Sequence, residues 1–134
     1  MAHNALAGPV VLMVPAAEAF LRIVRATVAT YASILGFSVD RIDDLRIAAD
    51  ELSYALVVLG KGTTVTVELR SDQHRLTVHG SCPAGQHPRR WEDDDRFTLS
   101  RQILSVVAPG YELRTEDQLL HFEVTQRRGV STAR

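Results

Sequence analysis

The segment Ile42–Leu52, IDDLRIAADEL, decides the fold because it combines a helical apolar period with a cluster of carboxylates. Its apolar residues recur at spacings of three and four, and the same period continues to Leu59, just before Gly60. Ser38 stands where an N-cap is needed, since its hydroxyl can accept a hydrogen bond from a free backbone N–H group. The pattern predicts a long amphipathic helix from about Ser38 to Leu59.

A second helical pattern precedes this segment, from Ala16 to about Leu35, and Gly36 is placed to end it as a C-cap. Apolar side chains again recur at spacings of three and four, which predicts one buried stripe. The stripe consists of Ala17, Leu21, Val24, Val28, Tyr31 and Leu35.

The opposite flank of this first helix is charged and carries Glu18, Arg22 and Arg25. Glu18 and Arg22 are four residues apart, so they can pair across one turn of an α-helix. Arg25 has no partner at helical spacing. It is therefore either a solvated charge or a group that is available to another protein.

The remaining pattern predicts strands and one short helix. A polar stretch without an apolar period, Gly80–Asp95, predicts a long loop. The short helix Thr98–Val107 is expected to turn Leu99, Ile103 and Val106 inward. Strands are predicted at Pro9–Val14, Thr64–Arg70, His74–His79, Tyr111–Arg114 and Leu119–Thr125.

The order of these elements predicts an α+β fold. Strands that follow one another through short turns pair antiparallel, and amphipathic helices bury their apolar stripes against the sheet. We expect a two-layer α/β sandwich in which about three helices cover one face of a largely antiparallel, mixed sheet. The chain is expected to be one domain, residues 1–134, with flexible tails at 1–8 and 127–134.

Composition excludes several classes of function. The chain has 134 residues, of which 46% are hydrophobic and 23% charged, as in ordinary globular domains. Its net charge is −1 and no basic patch is visible, so we expect no direct binding to nucleic acid. Charges interrupt every apolar run and no signal peptide is visible, which predicts a cytoplasmic protein without a membrane span.

The segment Asp43–Leu52, DDLRIAADEL, resembles the N-box helix of the anti-sigma-factor serine kinases. These are the RsbW-like branch of the GHKL (Bergerat-fold, HATPase_c) ATPases. A first helix that ends in Leu35-Gly36 and two strands after the N-box extend the similarity over most of the chain. The resemblance implies a Bergerat sandwich, ATP and magnesium as ligands, a sigma factor or an antagonist protein as partner, and a homodimer.

The residues that hold the nucleotide in that family are replaced here. The family places an Asn that binds magnesium four residues after its general base, and this chain has Ala55 four residues after Glu51. The family's adenine-binding Asp corresponds to Cys82, and a glycine of the same box corresponds to Ala84. Carboxylates in the segment 91–97 would repel a triphosphate. We therefore expect no catalytic residue, with Glu51 a relict base, and neither ATP nor a metal as cofactor.

The predicted function is binding without catalysis. In this respect the chain resembles some actinobacterial anti-sigma factors of the same fold, whose nucleotide-binding motifs are also altered. In the family, the first helix and its surroundings grip the sigma factor, and a matching basic residue falls at Arg25. Arg25, Arg22 and Glu18 are therefore the predicted partner-binding residues, for a sigma factor or an anti-sigma antagonist.

Two alternatives remain open at this point. The chain can be an active serine kinase that phosphorylates an antagonist, with Glu51 as base and an unconventional pocket. It can also be a sensor in which the vacated cavity is filled by another ligand or by side chains. Trp91 or Phe97 folded over the cavity would favour filling by side chains.

Overall fold

A computed structural model describes residues 8–86 and 89–129. Within them, five strands form one sheet and three α-helices pack on one of its faces, which confirms the α+β sandwich. The strands are β1 Val10–Pro15, β2 Thr64–Ser71, β3 Arg75–Pro83, β4 Glu112–Glu116 and β5 Leu119–Arg127. The helices are α1 Leu21–Ile34, α2 Val39–Leu59 and α3 Thr98–Val107, and 3₁₀ turns span Glu18–Phe20, Trp91–Asp93 and Asp95–Phe97.

The sheet has the strand order β1-β2-β3-β5-β4, and every neighbouring pair is antiparallel. The expected mixed sheet is therefore purely antiparallel, because each connection between neighbouring strands reverses the chain. The predicted edge position of β1 is confirmed, and β4 forms the other edge. Asp117 and Gln118 both have positive φ, 54° and 64°, which closes the β4–β5 hairpin with a tight two-residue turn.

Strand β3 is longer than its pattern predicts, and this corrects the loop expected at Gly80–Asp95. The strand continues to Pro83, so the first residues of that stretch belong to the sheet. Gly80 lies opposite Phe122 of β5, and a side chain at Gly80 would collide with that ring. Phe122 is completely buried. The large ring on β5 thus supplies the apolar contact that Gly80 itself cannot.

Helix α2 agrees with its prediction. The backbone N–H of Arg41 donates to Ser38 Oγ at 3.3 Å, which is the N-cap bond expected. Gly36 ends α1 with φ +81°, as a C-cap residue does. The side chains of α2 that are predicted to be inward and are fully buried are Leu45, Ala49, Leu52, Leu56 and Leu59.

Helix α1 begins later than its pattern predicts. Its first α-helical residue is Leu21, and Ala17 is exposed ahead of a 3₁₀ turn that starts at Glu18. Among the described residues, Glu18 and Arg22 form no ion pair. The spacing of four requires α-helical geometry at both residues, and Glu18 lies in the tighter turn.

Helix α3 has the predicted bounds but presents a different face to the core. Leu99 is 66% exposed and Val106 is 78% exposed, whereas Ser100 and Leu104 are buried. The prediction is therefore wrong for Leu99 and Val106, whereas Ile103 is half-buried. The face turned to the core instead carries Leu104 and Ser100, and the Ser100 hydroxyl binds a carboxylate on α2.

Strand β5 reaches Arg127, and the N–H of Arg128 donates to His74 O at 2.7 Å. The start of the tail expected at 127–134 thus belongs to the sheet. Residues 1–7 and 130–134 of the two expected tails lie outside the described residues. None of the described helices combines the length and the apolar character that a bilayer crossing requires.

Candidate functional site

The positions that correspond to nucleotide-binding residues are closed to solvent. Ala55 on α2 is 0% exposed, Cys82 near the end of β3 is 4% exposed, and Ala84 just after it is 1% exposed. They come together where α2 and β3 end, since Cys82 Sγ donates a weak hydrogen bond to Leu56 O at 3.4 Å. Gly60 allows this contact, because a side chain there would collide with Cys82 Sγ. The region is packed as protein core.

The thiol of Cys82 has low reactivity in this buried environment. Burial raises the pKa of its thiol to about 11, so the thiolate that acts as a nucleophile or metal ligand is scarce at neutral pH. His79 lies on the other face of β3, because side chains three residues apart on a strand point in opposite directions. Among the described residues, no group of three or more His, Cys, Asp and Glu side chains is arranged to hold a metal ion.

Aromatic rings of the segment 91–97 are also part of the core. Trp91 is 3% exposed and Phe97 is fully buried, with their ring centres 5.8 Å apart. Tyr111 meets the Trp91 ring edge-on at 5.7 Å. Arg101 Nη1 donates to Trp91 O at 2.6 Å, which ties this segment to α3. Both rings considered from sequence as a cover are therefore folded into the protein.

The acidic run after Trp91 makes local contacts. Asp94 accepts hydrogen bonds from the side chain and the backbone N–H of Arg96. The side-chain bond is the main cause that lowers the pKa of Asp94 to about 2. This carboxylate is therefore charged at physiological pH and engaged with its neighbour.

The three residues predicted to bind a partner line one open cleft of about 520 Å³ between α1 and α2. The structure brings them beside Glu51, although Glu51 was selected for a different reason. Two further residues, Asp50 and Tyr54, complete the polar wall. The polar lining consists of Glu18, Arg22, Arg25, Asp50, Glu51 and Tyr54.

Arg25 forms an ion pair with a residue that is distant in the sequence. Its Nη1 atom lies 2.7 Å from Asp50 Oδ1, and the two side chains are 39% and 35% exposed. Asp50 belongs to the segment that decides the fold, but its partner is 25 residues away on another helix. Helical spacing within α1 carries no signal for such a contact.

Glu51 is also engaged. Ser100 Oγ donates to Glu51 Oε1 at 2.6 Å, so the carboxylate joins α2 to α3 while another part of it faces the cleft. A general base needs a free lone pair directed at its substrate. In this structure the hydroxyl of Ser100 occupies that position on one oxygen.

No family model and no curated protein matches this sequence. Among solved structures, the chain is similar to the crystal structure of the RsbU and RsbW domains of Rv1364c from Mycobacterium tuberculosis, with a TM-score of 0.64. The fold is RsbW-like. The match covers 90% of this chain and 32% of the mycobacterial chain, at 17% sequence identity. This chain therefore spans about a third of that protein's length, and the likeness concerns the fold.

A second opening of the RsbW-like fold lies on the outer flank of α1, beside β1. This groove has a volume of about 510 Å³ and its lining is mainly apolar, with Val10, Ile23 and Ile34 among its walls. Ile34 is 77% exposed and Ile23 is 48% exposed. Arg22 borders both this groove and the charged cleft, so the two surfaces are continuous around α1.

Proposed function

We propose that this chain is a non-catalytic regulator in a partner-switching pathway, which binds a sigma factor or an anti-sigma antagonist through the cleft between α1 and α2. The observation that carries the proposal is the burial of Ala55, Cys82 and Ala84 in a fold that is RsbW-like. Such a regulator would act in the cytoplasm, where it would keep its target from RNA polymerase.

Magnesium and ATP do not fit the residues present. Mg²⁺ binds hard oxygen ligands, and the methyl group of Ala55 offers none. The adenine ring would have to displace Trp91 and the packed ends of α2 and β3. The thiol of Cys82 is a far weaker hydrogen-bond acceptor than a carboxylate. We therefore derive no phosphoryl-transfer step for this chain.

The cleft offers chemistry that suits exchange between protein partners. Arg25 and Asp50 are paired but more than a third exposed, and such pairs contribute little to stability. A carboxylate of a partner can replace Asp50 on the planar guanidinium of Arg25, which favours bidentate contacts. Asp50 is then free to accept a hydrogen bond from the same partner. Binding thus exchanges one ion pair for another.

The proposal includes a homodimer, with a second copy on the β1 edge and the adjoining groove. Within residues 8–86 and 89–129, strand β1 pairs only with β2, so its outer edge has backbone groups available for another strand. Met13 is 68% exposed and Val11 is 56% exposed on this strand. An antiparallel contact between two β1 strands is compatible with the twofold symmetry of most dimers.

Titration with ATP and Mg²⁺ tests the absence of catalysis. Trp91 is the only tryptophan of the chain, so its fluorescence reports on the packing of the segment 91–97. We expect neither heat nor an emission shift at millimolar ATP. Micromolar binding with a red-shifted Trp91 emission would favour the serine-kinase alternative, and transfer of labelled phosphate to an antagonist would establish it.

Partner binding is tested by interferometry against the sigma factors and antagonist proteins encoded in the source genome. For the partner that binds in this screen, Arg25→Glu is expected to weaken the affinity at least about tenfold, which corresponds to about 1.4 kcal/mol. Arg46→Glu is the matched control, because Arg46 is exposed on α2 and pairs with Asp43 away from the cleft. Equal losses in both variants would argue against the cleft.

A further inference from the structure

Helix α3 exposes an apolar stripe that the fold does not use. Leu99, Ile103 and Val106 follow one another at spacings of four and three, as on one side of a helix. Leu99 is 66% exposed and Val106 is 78% exposed, and Ile103 is half-buried. Apolar stripes of this kind usually face a partner.

The stripe borders α2. The hydrogen bond from Ser100 to Glu51 and the 6.1 Å separation of the Phe97 and Tyr54 rings show that the two helices run antiparallel. With equal rise per residue, Ile47 comes level with Leu104, and Ala48 with Ile103.

The other flank of α3 is already covered. Arg101 lies on that flank, about a quarter turn from Ser100, and donates to Trp91 O. By helical spacing the stripe lies on the opposite flank of Ser100. We call the surface between this stripe and the exposed side chains of α2 the α2–α3 groove. Ile47 and Tyr54, each 36% exposed, contribute apolar surface to the α2 wall.

The α2 wall is also acidic. Helix α2 contains five carboxylates and two arginines, a net charge of −3. Both arginines are engaged, since Arg41 binds Gln126 Oε1 and Arg46 pairs with Asp43. Asp44 and Glu51 are seven residues apart, which is about two helical turns, so they lie on the same side of α2. This side faces α3, because Glu51 accepts a hydrogen bond from Ser100. Neither carboxylate forms an ion pair within residues 8–86 and 89–129.

We infer that this groove between α2 and α3 is a second docking surface, and that it binds a basic amphipathic helix of a partner protein. The apolar side of that helix would cover Leu99, Ile103 and Val106, and its Lys or Arg side chains would lie against Asp44 and Glu51. Charge selects this occupant over an acidic helix. This surface shares Glu51 and Tyr54 with the α1–α2 cleft, but the inference does not require the cleft to be the sigma-factor site.

A second copy of this chain fits the groove less well. Stable dimers bury about 800 Å² per partner, and three side chains on a ten-residue helix offer much less. Two copies would also bring two acidic α2 helices together. A basic helix satisfies both the apolar stripe and the carboxylates.

The test uses two fluorescent peptides of about 16 residues, a length at which isolated helices become stable. Both carry leucines at i, i+3, i+4 and i+7, and their other positions are Lys in one and Glu in the other. By fluorescence anisotropy, we expect the Lys peptide to bind at least about tenfold more tightly, a difference of about 1.4 kcal/mol. We expect Asp44→Asn to reduce the salt dependence of that binding.

A paired substitution locates the binding. Leu99→Ser with Val106→Ser removes the exposed stripe, and both positions are open enough to accept it. Val39→Ser with Leu119→Ser is the matched control, since these side chains are 72% and 37% exposed and lie outside both the groove and the proposed dimer surface. We expect the first double variant to lose at least about tenfold in affinity and the second to change less than about twofold, or 0.4 kcal/mol.

Three results would overturn the inference. Equal affinity for the Lys and Glu peptides would show that charge plays no part. Unchanged affinity in the Leu99 and Val106 variant would place the peptide elsewhere. A dimer that sedimentation detects in the wild type and that this variant abolishes would show that a second copy covers the stripe.

Discussion

Ser100 Oγ donates a 2.6 Å hydrogen bond to Glu51 Oε1 and so joins the first turn of α3 to the middle of α2. Ser100 is one of the few buried polar side chains among the described residues. Glu51 is the carboxylate that the sequence marks as a relict base. This link gives Glu51 a structural role between α2 and α3.

Ser100→Ala should lower the free energy of unfolding by about 1 to 2 kcal/mol, as expected for a lost hydrogen bond to a charged acceptor. The cost stays modest because Glu51 can turn toward the cleft and water. Urea unfolding measures the change. Ser105→Ala is the control, since its hydroxyl bonds within α3 to Gln102 O, and it should shift stability by less than about 0.5 kcal/mol. Equal losses of stability in Ser100→Ala and Ser105→Ala would contradict a stabilising role of the hydrogen bond between Ser100 and Glu51.

Ala55→Asn should destabilise the fold by about 2 to 4 kcal/mol and should not restore binding of Mg²⁺ and ATP. The added amide enters a fully buried position with no room for it. Thermal unfolding and calorimetric titration measure the two effects. Ala26→Asn, on the exposed side of α1, should cost less than about 1 kcal/mol. A stable Ala55→Asn protein that binds the nucleotide would show that the pocket opens easily.

The period of α2 and the alternation of β2 are local properties, so the sequence predicts both elements. The face of α3 is different, because Leu99, Ile103 and Val106 form as regular a stripe as the residues that are buried. The face that is buried instead carries Leu104 in the core and Ser100 against Glu51, which is 49 residues away. Local periodicity cannot contain that information.

The candidate cleft was partly predictable. Resemblance directed attention to Arg25 and to Glu51, but for separate reasons, and the packing of α1 on α2 brings them to one cleft. The pairing of Arg25 with Asp50 depends on the rotation of both helices. A single sequence does not specify that rotation.

Cys82 should react slowly with a thiol reagent in the native protein at pH 8. Its pKa of about 11 leaves only about a thousandth as thiolate, and the side chain is 4% exposed. Unfolding in urea should make the reaction at least about a hundredfold faster, since an ordinary thiol has a pKa near 8.5. Fast labelling of the native protein would show that the ends of α2 and β3 separate readily.

The same burial makes stability depend on alkaline pH. Because the folded pKa is raised above the ordinary value, Cys82 stabilises the fold below about pH 9, and this contribution is lost as the pH rises toward 11. Cys82→Ala should therefore lose less stability than the wild type between these values. Urea unfolding of both proteins at both pH values provides the comparison. Burial also raises the pKa of Tyr111, but this effect is common to the two proteins and cancels in the difference.

His79 and His121 lie on the open face of the sheet, with His79 Nε2 and His121 Nδ1 3.1 Å apart. Burial is the main cause that lowers the pKa of His79, and the charge of His121 adds to it. Glu123 and Glu68 act in the opposite direction and Arg114 in the same one. The folded protein therefore binds a proton at His79 less readily than the unfolded chain does.

The sign of the effect follows from this order of pKa values. The contribution of His79 is present above the ordinary pKa of 6.5 and is lost as the pH falls through the lower folded value. The free energy of unfolding should therefore decrease from pH 7.5 to pH 5, and His79→Gln should decrease less. His74→Gln is the control, because it removes an imidazole at the exposed β2–β3 turn. Equal slopes for the wild type and His79→Gln would exclude His79 as the source of the effect.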